Sequence, residues 1–298
     1  MSETALHDLL LSGSFRIGRT LVTHLSDGVV VEPRANWFHG VDPACWMPVV
    51  GAGSPDTPFP VTFGGFLVQT PDATAMFDCG IGPLARSMFP GIREGGNLLH
   101  RLEEAGVAPG EVDRVVISHL HLDHCGHLLK PDGSLTFESA EVWLHHREAE
   151  YWRSASAAGN IEPARIRRYL DALQSAGVLR TYADEFELSP GVRLIPSPGH
   201  TPGHTAMLLS SAGAHAMLLG DIVHHTAHFT HPRWLQSYDV EPESSFATRL
   251  ELFDRAARLG AVVTAVHMPI LTLGTVTTTG SGGHVYHPAP PDRPVGQP

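Results

Sequence analysis

The chain has 298 residues, with 31 acidic residues against 20 basic ones and a net charge of -11. At 42% hydrophobic and 17% charged it has the composition of a globular protein with a sizeable core. With a single lysine, Lys130, and no basic stripe, nothing suits a phosphate backbone, so nucleic acid is not an expected partner. No apolar run is long enough to span a membrane, and residues 1–18 lack a basic start followed by an apolar core. A cytoplasmic protein without membrane association is therefore expected. Cys45, Cys79 and Cys125 form no CxxC pair, which argues against a disulfide framework or a cysteine-rich zinc site. Histidine is the outlier at 20 residues, and histidine is the commonest metal ligand.

Residues 1–60 read as an irregular N-terminal segment packing on the core, with scattered prolines and the run Asn36-Trp37-Phe38-His39. Residues 62–70 and 74–80, joined by a Pro-Asp turn, predict a β-hairpin. Asn97–Ala105 has helical spacing, with Gly106 as its stop. Val112–Ser118 is a β-branched run, hence a buried strand ending at His119. A strand around Trp143-Leu144 and helices at Arg147–Trp152 and Pro163–Ser175 follow, the last with proline in its first turn. Val192–Pro196 is a strand leading into the loop 197–204. Ala206–Leu209 and Ala216–Leu219 pair as strands, Glu243–Leu259 is a helix, and Ala261–Val266 is a strand ending at His267. From Gly274 the chain is rich in Thr, Gly and Pro, and 276–298 reads as a tail whose last dozen residues are loose. The candidate site residues spread from 119 to 267, so one domain over 61–275 fits better than two.

The chemistry is concentrated in Ser118-His-Leu-His-Leu-Asp-His-Cys-Gly126. His119, His121, Asp123 and His124 crowd into six residues just past a strand, and imidazole with carboxylate suits zinc and other first-row metals. His200, Asp221 and His267 each follow a predicted apolar strand. Taken singly, each of these three is more often a hydrogen-bonded polar residue than a ligand; taken together, seven strand-end ligands converge on one edge of a sheet sandwich.

The run His119–His124 matches in full the HxHxDH motif of the metallo-β-lactamase superfamily, and the order and spacing of the later ligands extend the resemblance over roughly 60–270. The resemblance implies an αββα sandwich, with two antiparallel-rich sheets face to face and helices outside. It also implies a two-metal site. His119, His121 and His200 would hold the first ion, Asp123, His124 and His267 the second, and Asp221 would bridge them. The ions would be divalent, zinc foremost, with Mn, Fe or Co accepted by such donors. A pair of ions sharing a hydroxide drives attack on a carbonyl or phosphoryl centre, and Asp123 is the candidate proton shuttle to the leaving group.

Asp221 at the bridging position argues against the β-lactamases themselves, which carry Cys or Ser near there. The segments Pro198–Thr205 and Leu219–His225 are similar to the branch of quorum-quenching lactonases and methyl parathion hydrolase-like enzymes. Lactones or activated aryl esters are then the expected small-molecule substrates, with phosphotriesters as a side activity. His224 stands where lactonases of this branch place a polar residue against the substrate carbonyl, making it a candidate catalytic and substrate-binding residue; the lactonase tyrosine is missing. Phe229, Trp234, Trp37 and Phe38 are candidates for an apolar wall, although packing is the commoner role of such residues. His204 is expected to orient its loop or to support the ligands from behind, and Cys125 to pack. His127, where relatives usually have Gly, either narrows the pocket or adds a hydrogen bond. His145, His146, His215, His228, His231, His284 and His287 are expected on the surface.

Two other readings compete. A glyoxalase II-like thioester hydrolase would need a basic C-terminal region, and basic residues are sparse after Arg258. A non-catalytic sensor or scaffold would show a broken ligand set, and here it is complete. The long N-terminal segment is a candidate homodimer contact.

Overall fold

A computed structural model describes residues 12–51, 53–83, 91–154, 157, 163–269 and 272–289. Two mixed sheets carry the fold. The first runs β1 (Gly13–Ile17), β2 (Thr20–Pro33), β3 (Pro58–Gln69), β4 (Thr74–Phe77), β6 (Arg114–Val116), β7 (Glu141–His145) and β8 (Leu179–Tyr182), with β5 (Ile92–Glu94) added onto β2. Its first strands pair antiparallel, while β4, β6, β7 and β8 run parallel. The second sheet has the order β15 (His284–Pro288), β14 (Gly274–Thr278), β13 (Val262–Thr264), β12 (Ala214–Leu218), β11 (Thr205–Ser211), β10 (Val192–Pro196) and β9 (Phe186–Ser189).

Alternation along the strands builds the layers. In β11, Met207 and Leu209 face the first sheet, and with Phe66, Phe77, Leu194 and Leu218 they form the core between the sheets. Ala206 and Leu208 face outward onto α7 (Pro242–Leu259), meeting Leu252, Phe253 and Ala256. On the far face of the first sheet, Val115, Ile117, Val142 and Leu144 pack under α2 (Leu98–Glu104), α4 (His146–Arg153) and α5 (Pro163–Ser175) through Leu98, Leu102, Trp152, Ile166 and Leu170. Helix, sheet, sheet, helix is thus the observed order, as the motif resemblance implies. A fourth cluster joins Val30, Val61 and Phe63 to Trp37, Phe38 and Trp46, the last on α1 (Pro43–Val50).

Three expectations need correction. The N-terminal segment is not irregular: Gly13–Ile17 and Thr20–Pro33 are sheet strands, and β2 pairs with nearly the whole of β3. A bulge between Ser26 and Gly28 breaks its alternation and turns Asp27 inward, to accept from the backbone N–H of Ile81, Gly82 and Leu98. The C-terminal stretch is not a loose tail as far as Ala289. Gly274–Thr278 and His284–Pro288 form a hairpin at the sheet edge, Thr being a good strand former; residues 290–298 lie outside the described residues. Among the histidines expected at the surface, His145, His228 and His284 are buried. His145 caps α4 and bonds the Ala183 carbonyl at 2.7 Å, and His284 pairs with Asp254 at 2.9 Å.

Candidate metal centre

Strand ends set the site. β6 stops at Val116, and the chain turns through Ser118–His121 into the single helical turn α3 (Leu122–Cys125). That turn curls His119, His121, Asp123 and His124 around one point, which a continuing strand would not do. On the second sheet, the loop after β10 brings His200, the 3-10 turn after β12 brings Asp221, and the segment after β13 brings His267. Gly220 has φ +53°, and a Cβ there would meet His204 Nε2 at 2.5 Å, so only glycine lets the backbone close this tightly before Asp221.

All seven expected ligands come together. The donor atoms of His119, His121, His200 and Asp221 lie within 4.8 Å of one another, and so do those of Asp123, His124 and His267. Asp221 faces both groups: its Oδ2 is 3.3 Å from His200 Nε2 and 3.2 Å from His267 Nε2, and its Oδ1 is 3.2 Å from His124 Nε2. Asp123 Oδ2 stands 3.5 Å from His124 Nε2 and 3.4 Å from His267 Nε2. It is also the least buried carboxylate there, with its side chain 20% exposed.

Four of the five imidazoles have their outer ring nitrogen hydrogen-bonded away from the centre. His124 Nδ1 bonds Asp78 Oδ2 at 2.8 Å, His200 Nδ1 bonds Asp239 Oδ1 at 2.9 Å, and His267 Nδ1 bonds the Thr62 carbonyl at 2.8 Å. His119 Nδ1 meets Ser118 Oγ at 3.0 Å, and that hydroxyl donates to Asp78 Oδ2. These bonds assign the proton to Nδ1 in each ring and leave the Nε2 lone pair pointing inward. His121 instead presents Nδ1, 2.9 Å from His119 Nε2 and 3.0 Å from His200 Nε2. Three lone-pair nitrogens converging beside a carboxylate is the donor set of a divalent cation. The second group has the same character: His124 Nε2 and Asp221 Oδ1 are buried with no hydrogen-bond partner. The residues therefore fit two divalent ions, with Asp221 between them.

The charge balance agrees. Burial, then the neighbouring imidazoles, hold His119 and His121 in the neutral, ligating form, His121 down to about 3. Burial alone would push the Asp221 carboxyl up, but His124, His267, His224 and His119 hold it well below the usual range. Against burial, Asp221 and Asp123 raise His124 and His267 above ordinary imidazole values. A cation is the natural substitute for that charge.

His204 orients its loop as expected. Burial pushes its pKa down to about 3, and neutral Nε2 accepts the Asp221 backbone N–H at 3.0 Å while Nδ1 bonds Ser197 Oγ. Cys125 packs in the core with its thiol on the His121 carbonyl. His127 adds a hydrogen bond, from Nε2 to Asp27 Oδ1 at 3.0 Å. His224 reaches the centre, its Nε2 3.2 Å from Asp221 Oδ2 and its ring stacked on His267 at 4.6 Å. Phe229 does not line the site: it is fully buried among Phe253 and Tyr286, because its helical turn, α6 (Ala227–Thr230), faces the second sheet's outer core. Phe38 and Trp234 pack on each other, whereas Trp37 lies 5.2 Å from His224 and 6.3 Å from His267.

Several supports were not legible in the sequence. Asp78, at φ +64°, clamps Ser118 N and Oγ together with His124. The fully buried Glu148 accepts from Leu120 N, Trp152 Nε1, Thr201 Oγ1 and Gly203 N, tying the two ligand loops together. Asp239 orients His200. Arg249 is buried and donates to the carbonyls of Ile222, Pro232 and Trp234, holding the segment that carries His224. None of these four falls in a motif, and a lone Asp, Glu or Arg ordinarily marks a solvated surface.

The family model described as the metallo-beta-lactamase superfamily matches residues 65–268, about two thirds of the chain. The chain belongs to the metallo-beta-lactamase superfamily. Within it, this chain is 27% identical over 132 residues to an N-acyl homoserine lactonase of Bacillus sp, covering 44% of this chain and 46% of that protein; the match thus spans about half the length of that relative. A longer match, 26% over 232 residues, covers 72% of this chain and 84% of N-acyl homoserine lactonase AttM of Azorhizobium caulinodans. Among solved structures, AidC, a dizinc quorum-quenching lactonase in complex with a product, superposes with a TM-score of 0.82 at 23% identity, over 95% of this chain and 99% of that one. The hydrolase AbOPH gives 0.77 at 26% identity, over 95% and 98%. The expected fold is thereby established across nearly the whole chain.

Proposed function

We propose that this member of the metallo-beta-lactamase superfamily is a metal-dependent hydrolase of lactones or activated aryl esters, acting on small molecules in the cytoplasm with two zinc ions. The observation that carries this reading is the position of Asp221: its carboxylate faces both ligand groups, and in each group ring nitrogens are turned inward by a hydrogen bond on their other edge, as in His200 and His124. His119, His121 and His200 would hold one ion, Asp123, His124 and His267 the other. Bound there, such a pair activates a water and polarises the electrophilic oxygen. The protein residues do the rest. Asp123, the most exposed carboxylate of the centre, would pass a proton to the leaving oxygen. His224, beside Asp221, would hydrogen-bond the substrate carbonyl. Asp78, Asp239 and Thr62 would keep His124, His200 and His267 in the ligating tautomer.

The names of the relatives support the lactone half of the proposal, and AidC's two zinc ions support the choice of metal. The test is a panel of lactones, aryl esters, thioesters and phosphotriesters, assayed with and without chelator. Lactone or aryl ester turnover that chelator abolishes and zinc restores is the expected result. Turnover of thioesters alone would replace the proposal with the glyoxalase II-like reading.

A further inference from the structure

One imidazole at the centre stands apart from the candidate ligands. His224 is buried, and its Nε2 lies 3.2 Å from Asp221 Oδ2, the same distance that His267 Nε2 keeps from that oxygen. The two rings stack at 4.6 Å with 21° between their planes, so both Nε2 edges face one carboxylate oxygen. The backbone under His224 is fixed: Arg249 donates to the Ile222 carbonyl, and His224 N donates to His228 Nδ1 at 3.2 Å. The difference is at the outer edge of the ring. His124, His200 and His267 each have a partner on Nδ1, whereas His224 Nδ1 is buried without one. Burial pushes the His224 pKa down to about 4, so the ring is neutral and carries one proton. With no partner on Nδ1 to choose between the nitrogens, either one can carry it.

The two tautomers give the ring two roles. With the proton on Nε2 it donates, to Asp221 or to a substrate carbonyl. With the proton on Nδ1, the Nε2 lone pair faces Asp221 Oδ2 beside that of His267, and two imidazoles with a carboxylate are a donor set for a divalent ion. The donor atoms of Asp221, His224 and His267 lie within 4.8 Å of one another. The two separations of 3.2 Å are close to the roughly 3.4 Å between donors set tetrahedrally about 2.1 Å from one ion. His267 also belongs with Asp123 and His124, but its Nε2 has a single lone pair, which binds one ion at a time. The two groups that share it are therefore alternatives, not separate sites.

We propose that His224 is a reserve metal ligand, forming with Asp221 and His267 a second position for the ion that Asp123, His124 and His267 hold in the two-ion reading. This rests on that reading and deepens it. The position of the ion then decides what His224 does. Held by Asp123 and His124, the ion leaves His224 as a donor for the substrate carbonyl. Held by His224, it frees Asp123 and His124 and takes that donor away.

A double-mutant comparison of zinc binding tests this without reference to turnover. Zinc stoichiometry and competition titrations with a chromophoric chelator are run on the full-length wild type, Asp123→Ala, His224→Phe and the double variant. Phenylalanine keeps a ring against His267 but offers no nitrogen. Asp123 is the most exposed carboxylate of the centre, so Asp123→Ala is expected to fold, and Asp123→Asn takes its place if it does not. Asp123→Ala is expected to keep two ions per chain, with His224 as the replacement ligand. His224→Phe is expected to weaken the second ion by less than about threefold in the otherwise unchanged chain, and by about tenfold or more in the Asp123→Ala chain. A His224 that only hydrogen-bonds Asp221 would act equally in both chains, and that result overturns the proposal. A single ion in Asp123→Ala beside two in the wild type overturns it as well, with the two-ion reading left intact. A wild type that holds one ion sinks both.

Discussion

The two sheets contribute to one centre in opposite ways. The first delivers four candidate ligands, His119, His121, Asp123 and His124, from one loop after β6, whereas the second delivers three more, His200, Asp221 and His267, from separate strand ends. Their supports differ accordingly. Asp78, itself just past β4, braces the compact loop at Ser118 and His124. The dispersed ligands depend on tertiary partners instead: Asp239 for His200, His204 for Asp221, and Thr62 on the opposite sheet for His267. Glu148 spans both sides, from Leu120 to Thr201 and Gly203. A compact ligand loop can be assembled by local turns, while a dispersed one exists only when the whole sandwich is closed.

Asp221 faces both candidate ligand groups, so replacing it should cost most. Asp221→Ala is expected to lose at least one metal per chain and about a thousandfold or more in kcat/KM, several kcal/mol of transition-state stabilisation. Hydrolysis assays with metal analysis on the same preparation check this; near-normal activity with two ions retained would remove Asp221 from the bridge.

The clamps come next and set the two sides against each other. Asp78→Asn disturbs two ligands, His124 directly and His119 through Ser118, whereas Asp239→Asn disturbs His200 alone. Metal affinity should fall about 10–100-fold in each, with the larger loss in Asp78→Asn. Competition with a chromophoric chelator measures both, and the reverse order would mean that the compact loop holds its shape without its clamp.

Glu148→Gln probes the tie between the sides. The variant keeps one acceptor oxygen but turns an amide towards groups that all donate, so stability should drop by about 2–4 kcal/mol. Thermal or urea unfolding reads this directly. A loss no larger than that of an exposed Glu→Gln control would show the two loops to be independently held.

The smallest effect concerns acid. Asp27 is buried, which alone would raise its carboxyl, but His127 and the N–H groups of Gly82 and Leu98 hold it below the usual range. A carboxyl lowered in the folded state stabilises the fold above the ordinary carboxylate range, and that contribution is lost as pH falls through the lowered value. Asp27→Asn should therefore flatten the acid limb of the stability profile and lower the plateau near neutrality.

The legible part of the molecule follows the same division. β10 at Val192–Pro196 and the helix Pro163–Ser175 were readable to the residue, because β-branched runs and helical spacing are local signals. The HxHxDH loop was readable because four donors in six residues have few other uses. β2 was not, since the bulge at Ser26–Gly28 breaks its alternation, and the β14–β15 hairpin was hidden in a Thr- and Gly-rich stretch. Asp78, Glu148, Asp239 and Arg249 were also hidden. Their roles come from what the closed fold sets beside them, not from their sequence neighbours.

The two-ion centre is the claim on which the rest depends, and metal stoichiometry tests it most directly. Plasma mass spectrometry on untagged, zinc-supplemented protein should give close to two ions per chain, falling to one or none in Asp221→Ala. A single ion in the wild type that Asp221→Ala leaves in place would contradict the account.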